Sequence, residues 1–289
     1  MIETLRADNR NTFEELYPKP CGLIALLTDF GLEDPYVAAI KAVGYSICSN
    51  IKIVDITHNV DSFDIESAAL ILYMVYRYFP KGAIFVVVVD PGVGSSRKPI
   101  AIATRNYIFI GPDNGVLTPA AKDDGIIDIR LLENDNYFHK PVSYSFHGRD
   151  IFMPIASHLV CGARFDSLGR PLDPTSITYI DTGIGYLEIE DKCVQLKIIH
   201  IDKFGNVMLS IPFVNLSQIL GLDIGVNVKV YSHSNVFTAK VEKVFSVVPK
   251  GTLVLYENSF GLAELAVNQG SAKEYLNVTR KSKIKICKS

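Results

Sequence analysis

The chain has 289 residues, with 29 basic and 31 acidic side chains, a formal net charge of −2 and 48% hydrophobic residues. That length supports two domains or one large one, each able to bury its own core, and the near-neutral balance gives no support to bulk electrostatic binding of nucleic acid or an anionic membrane. No apolar stretch approaches the roughly 20 residues of a membrane helix.

Residues 1–20 are polar, lack the apolar core of a signal peptide, and predict a loosely held N-terminal extension. "CGLIALLTDFG" then predicts a buried strand delivering Asp29 to its C-terminal edge. Asp34-Pro35 opens a helix through "YVAAIKAVGYSIC", with proline tolerated in the first turn. "IKIVDIT" is a second short strand, and "DIESAALILYMVYRYF" has the spacing of a helix lying on a sheet, stopped by Pro80 and Gly82. Three further strands follow: the valine run "FVVVV", "KPIAIAT" and "YIFIGPDNG". Strands that are apolar throughout, alternating with helices, predict a sheet covered on both faces, and the hairpin-close neighbours make it a mixed one. "GRDIFMPIASHLVCG" predicts the last helix of this α/β domain, residues 21–172.

A Pro-rich linker is expected over 173–185. Beyond it, over 186–289, short alternating or β-branched runs separated by Gly, Asn and Pro predict a smaller antiparallel β-barrel or sandwich. Cys21, Cys48, Cys161, Cys193 and Cys287 are odd in number, widely spaced and form no CxxC pair. They predict reduced thiols in a cytoplasmic protein rather than a disulfide frame or a zinc site.

Chemistry concentrates in "VVVVDPGVGSSRK". Its glycines match neither GxGxxG nor GxxxxGK[ST], and the loop leads into a strand rather than a helix N-terminus, which argues against a phosphate cradle. A tight turn with Gly92 and Gly94 at positive φ explains the glycines. It leaves unexplained why Asp90 ends the strand and Arg97 follows seven residues on, at the kind of edge where open α/β sheets bind ligands. Asp29 sits at the equivalent edge of the first strand. Asp113 and Asn114 suit a turn, and His58 and His147 are each, taken alone, ordinary polar loop residues. A metal hydrolase built on scattered Asp and His remains open, although no HxxxH, HxH or DxD spacing supports it.

In chain order, "LLTDFGLEDPYVAAIKAV", "IVDITHNVDSFDIESAALIL", "VVVVDPGVGSSRK", "YIFIGPDNGVLT", "SFHGRDIFMPIASHL", "IDKFGNV" and "NSFGLAELAVNQGSA" resemble the S-adenosyl-L-methionine (SAM) hydroxide adenosyltransferase family, relatives of the SAM-dependent fluorinase and chlorinase. The resemblance spans nearly the whole chain after residue 20. It implies an N-terminal α/β domain and a C-terminal barrel-like domain. It also implies a homotrimer with SAM held between the N-terminal domain of one subunit and the C-terminal domain of its neighbour. The implied reaction is attack of water, as hydroxide, on the ribose 5′ carbon of SAM, giving adenosine and L-methionine with no separate cofactor or metal.

The family's Asp, Arg and His triad falls on Asp90, Arg97 and His147, and the aspartate holding the ribose hydroxyls on Asp29. Phe63 stands where the halogenases place a tryptophan. Asp202 and Ser259 match the groups that grip the methionine ammonium and carboxylate, while Asn206 and Phe245 match the adenine contacts. Phe260 replaces the arginine that follows this serine in the fluorinase. The halogenases carry Tyr-Ser where this chain has His147-Gly148, so the halide-binding serine is absent and a water nucleophile is implied. A SAM- or adenosine-binding module with little catalysis is the alternative reading.

Overall fold

The computed structural model describes residues 16–280 and 282–288, so most of the predicted N-terminal extension, residues 1–15, lies outside the described residues. The chain divides into two compact units, residues 1–181 and 182–289.

The first unit contains β1 (Leu23–Thr28), α1 (Tyr36–Ile47), β2 (Lys52–Thr57), α2 (Ile65–Val75), β3 (Ile84–Val88), β4 (Pro99–Thr104) and β5 (Ile108–Pro112). It continues with α3 (Thr118–Asp124), β6 (Ile126–Leu131) and α4 (Met153–Val160). Its six strands form one sheet in the order β2-β1-β3-β5-β4-β6. β2, β1, β3 and β5 run parallel, while β4 pairs antiparallel with both β5 and β6. The mixed sheet expected from the sequence is present.

Why the strands are apolar throughout follows from the strand period of two. In β1 and β3, Ile24, Leu26, Val86 and Val88 pack with Ile40 of α1 and Met153 and Leu159 of α4. The alternate residues Ala25, Leu27, Phe85 and Val87 pack on the opposite face with Ala68 and Leu72 of α2 and Ala120 of α3. Both faces are therefore buried, and neither set can be polar. Asp64 caps α2 by accepting a hydrogen bond from Ser67 N at 3.0 Å, satisfying one of the unpaired amides of the first turn. Tyr17 departs from the loose extension predicted for residues 1–20: its hydroxyl donates to Asp128 at 2.6 Å, and its ring meets Phe165 at 4.9 Å.

The second unit contains β7 (Leu187–Glu190), β8 (Cys193–Ile201), β9 (Val207–Pro212), α5 (Phe213–Leu220), β10 (Asn227–Ser232) and β11 (Asn235–Val241). β12 (Leu253–Glu257), β13 (Leu262–Val267), α6 (Ala272–Leu276) and β14 (Lys283–Lys288) complete it. Pairing of β14 with β8 closes seven of these strands into a barrel, with β7 added along β8. β11 and β12 form a parallel pair within an otherwise antiparallel barrel. β10 shows the one-sided pattern, with Val228, Val230 and Ser232 buried and their neighbours exposed, as expected where one face meets the core and the other meets solvent.

The cysteine reading is overturned. Cys48 is bonded to Cys161 and Cys193 to Cys287, leaving Cys21 as a free, exposed thiol. The partners are 113 and 94 residues apart in sequence, so spacing could not reveal them. Cys48 ends α1 and Cys161 ends α4, two helices on the same sheet face. Cys193 and Cys287 face each other across the seam that closes the barrel.

Candidate active site

The order β2-β1-β3 means that the chain leaves β1 toward one side of the sheet and returns as β3 on the other. Such a reversal opens a crevice at the carboxyl ends of the strands. Asp29 directly follows β1, and Asp90 lies two residues beyond β3. Both line one cavity of about 400 Å³, together with Phe63 and His147. A cavity of about 450 Å³ beside Tyr17 and the end of α4 contains none of the predicted residues. Chemistry, not size, therefore marks the site.

Arg97 enters from the loop leading to β4. Its Nε donates to Asp90 Oδ1 at 2.9 Å and its Nη2 to Asp90 Oδ2, a two-point fork that fixes the guanidinium plane. The same Nη2 donates to His147 Nδ1 at 2.9 Å. The Asp90 and Arg97 side chains are only 4% and 9% exposed. Phe152 places its ring 5.3 Å from the guanidinium carbon, a cation–π contact. Arg97 Nη1 is buried with no hydrogen-bond partner among the described residues. A buried donor of this kind costs free energy unless something is bound to it.

The arginine bond fixes the histidine tautomer. Arginine has only donors, so His147 Nδ1 must accept, and the neutral ring carries its proton on Nε2. Burial and then the Arg97 charge push the His147 pKa below its ordinary value, so the ring is neutral at pH 7. His147 immediately precedes a π-helical turn, Gly148–Phe152, that leads into α4. A Cβ on Gly148 would lie 3.1 Å from Ile40 Cδ1, which explains the small residue there. Asp150, fully buried, accepts from Ser143 N at 2.8 Å and Arg149 Nε at 2.6 Å and so braces the loop before His147.

Of the two glycines expected at positive φ, only Gly94 is there, at +76°. A Cβ on it would sit 2.3 Å from the Tyr144 carbonyl oxygen, so the Asp90–Arg97 loop lies directly against the loop that carries His147. Gly94→Ala should destabilise the fold by about 1–3 kcal/mol and lower turnover by displacing Arg97 from His147. Denaturant unfolding and steady-state kinetics measure the two effects.

Asp29 Oδ2 accepts from Phe63 N at 2.9 Å. Phe63 has φ +68°, uncommon for a bulky residue, and the residue is 69% exposed. His58 proves to be a buried brace for this corner. Its Nδ1 lies 2.8 Å from Thr28 Oγ1, its Nε2 lies 3.1 Å from Asp55, and its carbonyl accepts from Gly31 N at 2.7 Å. Asp113 and Asn114 serve structure as well: Asp113 accepts from Thr178 N, and Asn114 Nδ2 donates to Val89 O.

The remaining predicted residues lie in the second unit. Asp202 Oδ1 accepts from Phe204 N and Asn206 N, each at 2.9 Å, and Asn206 Nδ2 donates to Asp202 Oδ2 at 3.0 Å. The pair thus forms one tight turn between β8 and β9. Phe245 opens a short 3₁₀ turn and meets Tyr256 edge-on at 6.0 Å. Ser259 lies in the turn between β12 and β13.

Sequence reasoning missed the aromatic wall of the first-unit cavity, where Phe30, Tyr36 and Phe146 meet at 5.4–5.9 Å. Their signal was adjacency, since Phe30 follows Asp29 and Phe146 precedes His147. It also missed Phe152 beneath Arg97.

Fold and site define a two-unit protein, a mixed α/β sheet unit followed by a β-barrel unit, with a buried carboxylate–guanidinium pair joined to a half-buried imidazole at the sheet's switch point. The SAM hydroxide adenosyltransferase N-terminal domain matches residues 24–169, and the C-terminal domain of the same family matches residues 196–285. The chain belongs to the SAM hydroxide adenosyltransferase family. It is 32% identical over 264 residues to the (R)-S-adenosyl-L-methionine hydrolase of Salinispora arenicola, covering 91% of this chain and 97% of that one. A fluorinase of Actinopolyspora mzabensis is more distant, 23% identical over 299 residues that cover 94% of this chain and 99% of its own. The crystal structure of an uncharacterised conserved protein from Thermotoga maritima superposes with a TM-score of 0.86 at 38% identity, covering 92% of this chain and all of that one.

Proposed function

We propose that this protein hydrolyses SAM at the ribose 5′ carbon, giving adenosine and L-methionine, with Asp90, Arg97 and His147 handling the water. The observation that carries the reading is the buried Arg97 guanidinium, locked on Asp90 and His147 with Nη1 left to meet a ligand. The hydrolase name of the Salinispora relative supports the same substrate. That name already fixes the α-carbon as L, so its (R) describes the sulfonium sulfur, and we take the (R) epimer as the substrate to test.

The sulfonium leaves as a neutral thioether, so the leaving group needs neither a general acid nor a metal. The difficulty is the nucleophile, because bulk water has a pKa near 15.7. Arg97 and the Nε2–H of neutral His147 offer donors and no acceptor, an arrangement that favours hydroxide over water. The hydroxide oxygen forms a bond to C5′, the C5′–S bond breaks with its electron pair passing to sulfur, and one proton per turnover is released. With Nδ1 occupied by Arg97, His147 acts as a donor in this arrangement. Asp90 holds the arginine fork.

We assign Asp29 and Phe63 to the ribose end, Asp202 and Ser259 to the methionine end, and Asn206 and Phe245 to adenine. The division of these residues between the two units, together with the exposed Phe63, Phe204, Phe245 and Phe260, supports a homotrimer in which neighbouring subunits complete each site. Among the described residues no helix is long and apolar enough to cross a membrane.

Turnover in ¹⁸O-water should place the label in the adenosine 5′-hydroxyl, with rates insensitive to EDTA and no chlorinated product in chloride. Unlabelled adenosine would overturn attack by water, and release no faster than spontaneous decay with SAM still bound would leave a binding module instead. The pH profile follows from His147. Its folded pKa is lowered, so in the folded protein the neutral ring persists below the ordinary value of about 6.5 and is lost only as pH falls through the lowered folded value. The stability linked to this group should therefore begin to fall as pH drops below about 6.5, whereas activity, which follows the folded enzyme, should fall only as pH passes through the lowered folded value.

A further inference from the structure

Glu264 is a buried carboxylate that the proposed mechanism does not use. It lies on β13 opposite Tyr256 of β12, on the side of the strand where Ala266 packs with Tyr256 and Val248 rather than with the barrel interior. The residue is 6% exposed, and its hydrogen-bond donors are neutral. The Tyr256 hydroxyl donates to Oε1, and Asn258 Nδ2 donates to Oε2 at 2.9 Å. Burial is the main cause of its raised pKa, and nearby Asp202 adds to it. An apolar residue would fill this place at lower cost in solvation, so the carboxylate calls for a reason.

Asn258 supplies it. Its Oδ1 accepts from Phe260 N at 2.9 Å and Leu262 N at 3.0 Å. Its backbone also closes the turn, with Asn258 N donating to Leu262 O and Gly261 N donating to Asn258 O. An asparagine amide can flip and exchange its oxygen for its nitrogen, which would present donors to these two N–H groups. Glu264, an acceptor when ionised, takes Nδ2 and so holds Oδ1 toward the turn that carries Ser259 and Phe260. Tyr256, the second donor to Glu264, is the ring against which Phe245 rests. One buried carboxylate therefore backs both the Ser259 turn and the Phe245 contact.

We propose that Glu264 is a positioning residue for the amino-acid end of the substrate: by orienting Asn258 it sets the Ser259–Phe260 turn and so the enzyme's preference for a substrate bearing an α-carboxylate. The proposal rests on the assignment of Ser259 to that carboxylate. It concerns the orientation of the turn rather than the charge of Glu264. Glutamine can still accept from Asn258 Nδ2 while its own amide donates to the Tyr256 oxygen, so it preserves the arrangement.

The test compares kcat/KM for SAM with that for its decarboxylated analogue. Glu264→Ala should raise KM for SAM and reduce the SAM preference about ten-fold, the size of one hydrogen bond to a charged group, with kcat for SAM nearly unchanged. Glu264→Gln should recover most of the preference, and Asn258→Ala should reproduce the loss without adding to it in the double variant. A general loss of folding would lower both substrates together and leave the ratio where it was. If Glu264→Ala does not fold, the Asn258→Ala and Glu264→Gln ratios decide. A preference retained in Asn258→Ala while Ser259→Ala abolishes it overturns the proposal and spares the Ser259 assignment. A preference untouched by Ser259→Ala removes that assignment and the proposal with it.

Discussion

Replacing Arg97 by alanine is expected to lower kcat for SAM hydrolysis by about 10²–10³-fold, the usual cost of removing one preorganised donor from developing or bound negative charge. The same change should destabilise the protein by about 3–5 kcal/mol, because it strands Asp90 as an uncompensated buried charge. Stability alone could mimic lost turnover, so two further variants separate the causes. Arg97→Lys keeps the charge but not the planar fork that reaches Asp90 and His147 at once. It should fold better than the alanine variant and still turn over slowly. Arg97→Gln removes the cation that, after burial, lowers the His147 pKa. In that variant the acid limb of the pH profile should move upward, toward the ordinary histidine value. An NMR titration of the His147 ring reads the shift directly. A turnover number unchanged in a folded Arg97→Gln enzyme would remove Arg97 from the chemistry.

What could be read from sequence divides along the range of the interactions. Asp29 and Asp90 were legible as strand-end carboxylates because unbroken apolar runs announce strands buried on both faces, and such strands end at ligand-binding edges. The pairing of Arg97 with Asp90 was foreshadowed by their seven-residue spacing around a turn. His147, fifty residues further on, could be joined to them only by family resemblance, since nothing local marks its approach to Arg97. Short elements were missed: α3 and β6 have too few turns or residues to show a clear period, and α5 and α6 sit among barrel strands. The parallel β11–β12 pair was hidden because alternation reports which face is buried and not strand direction. Glu264 drew no notice because a single glutamate within "GLAELAV" carries no sign of burial. Tyr256 and Asn258 give it meaning only after β12 and β13 pair. The cysteines misled for the same reason, their spacing being silent about contacts made through two helix ends and a barrel seam.

Those two bonds carry the second large effect. In the chain-entropy account, closing a loop of about 100 residues stabilises a fold by about 4–5 kcal/mol, and the two bridges here close separations of 113 and 94 residues. Reducing both should therefore lower the melting temperature substantially. The paired variants Cys48→Ala with Cys161→Ala, and Cys193→Ala with Cys287→Ala, should each reproduce part of the drop. Their functional consequences should differ. The first bridge joins the ends of α1 and α4, and the opposite ends of those helices lie next to Tyr36 and the turn after His147. Its loss should loosen the cavity wall and reduce activity on warming before global unfolding. The second bridge staples the seam where β14 closes the barrel on β8, and its loss should appear first as faster amide exchange along those two strands. Thiol titration of the unreduced, denatured protein provides the direct count: one reactive cysteine, Cys21, is expected, and five would show that neither bridge forms.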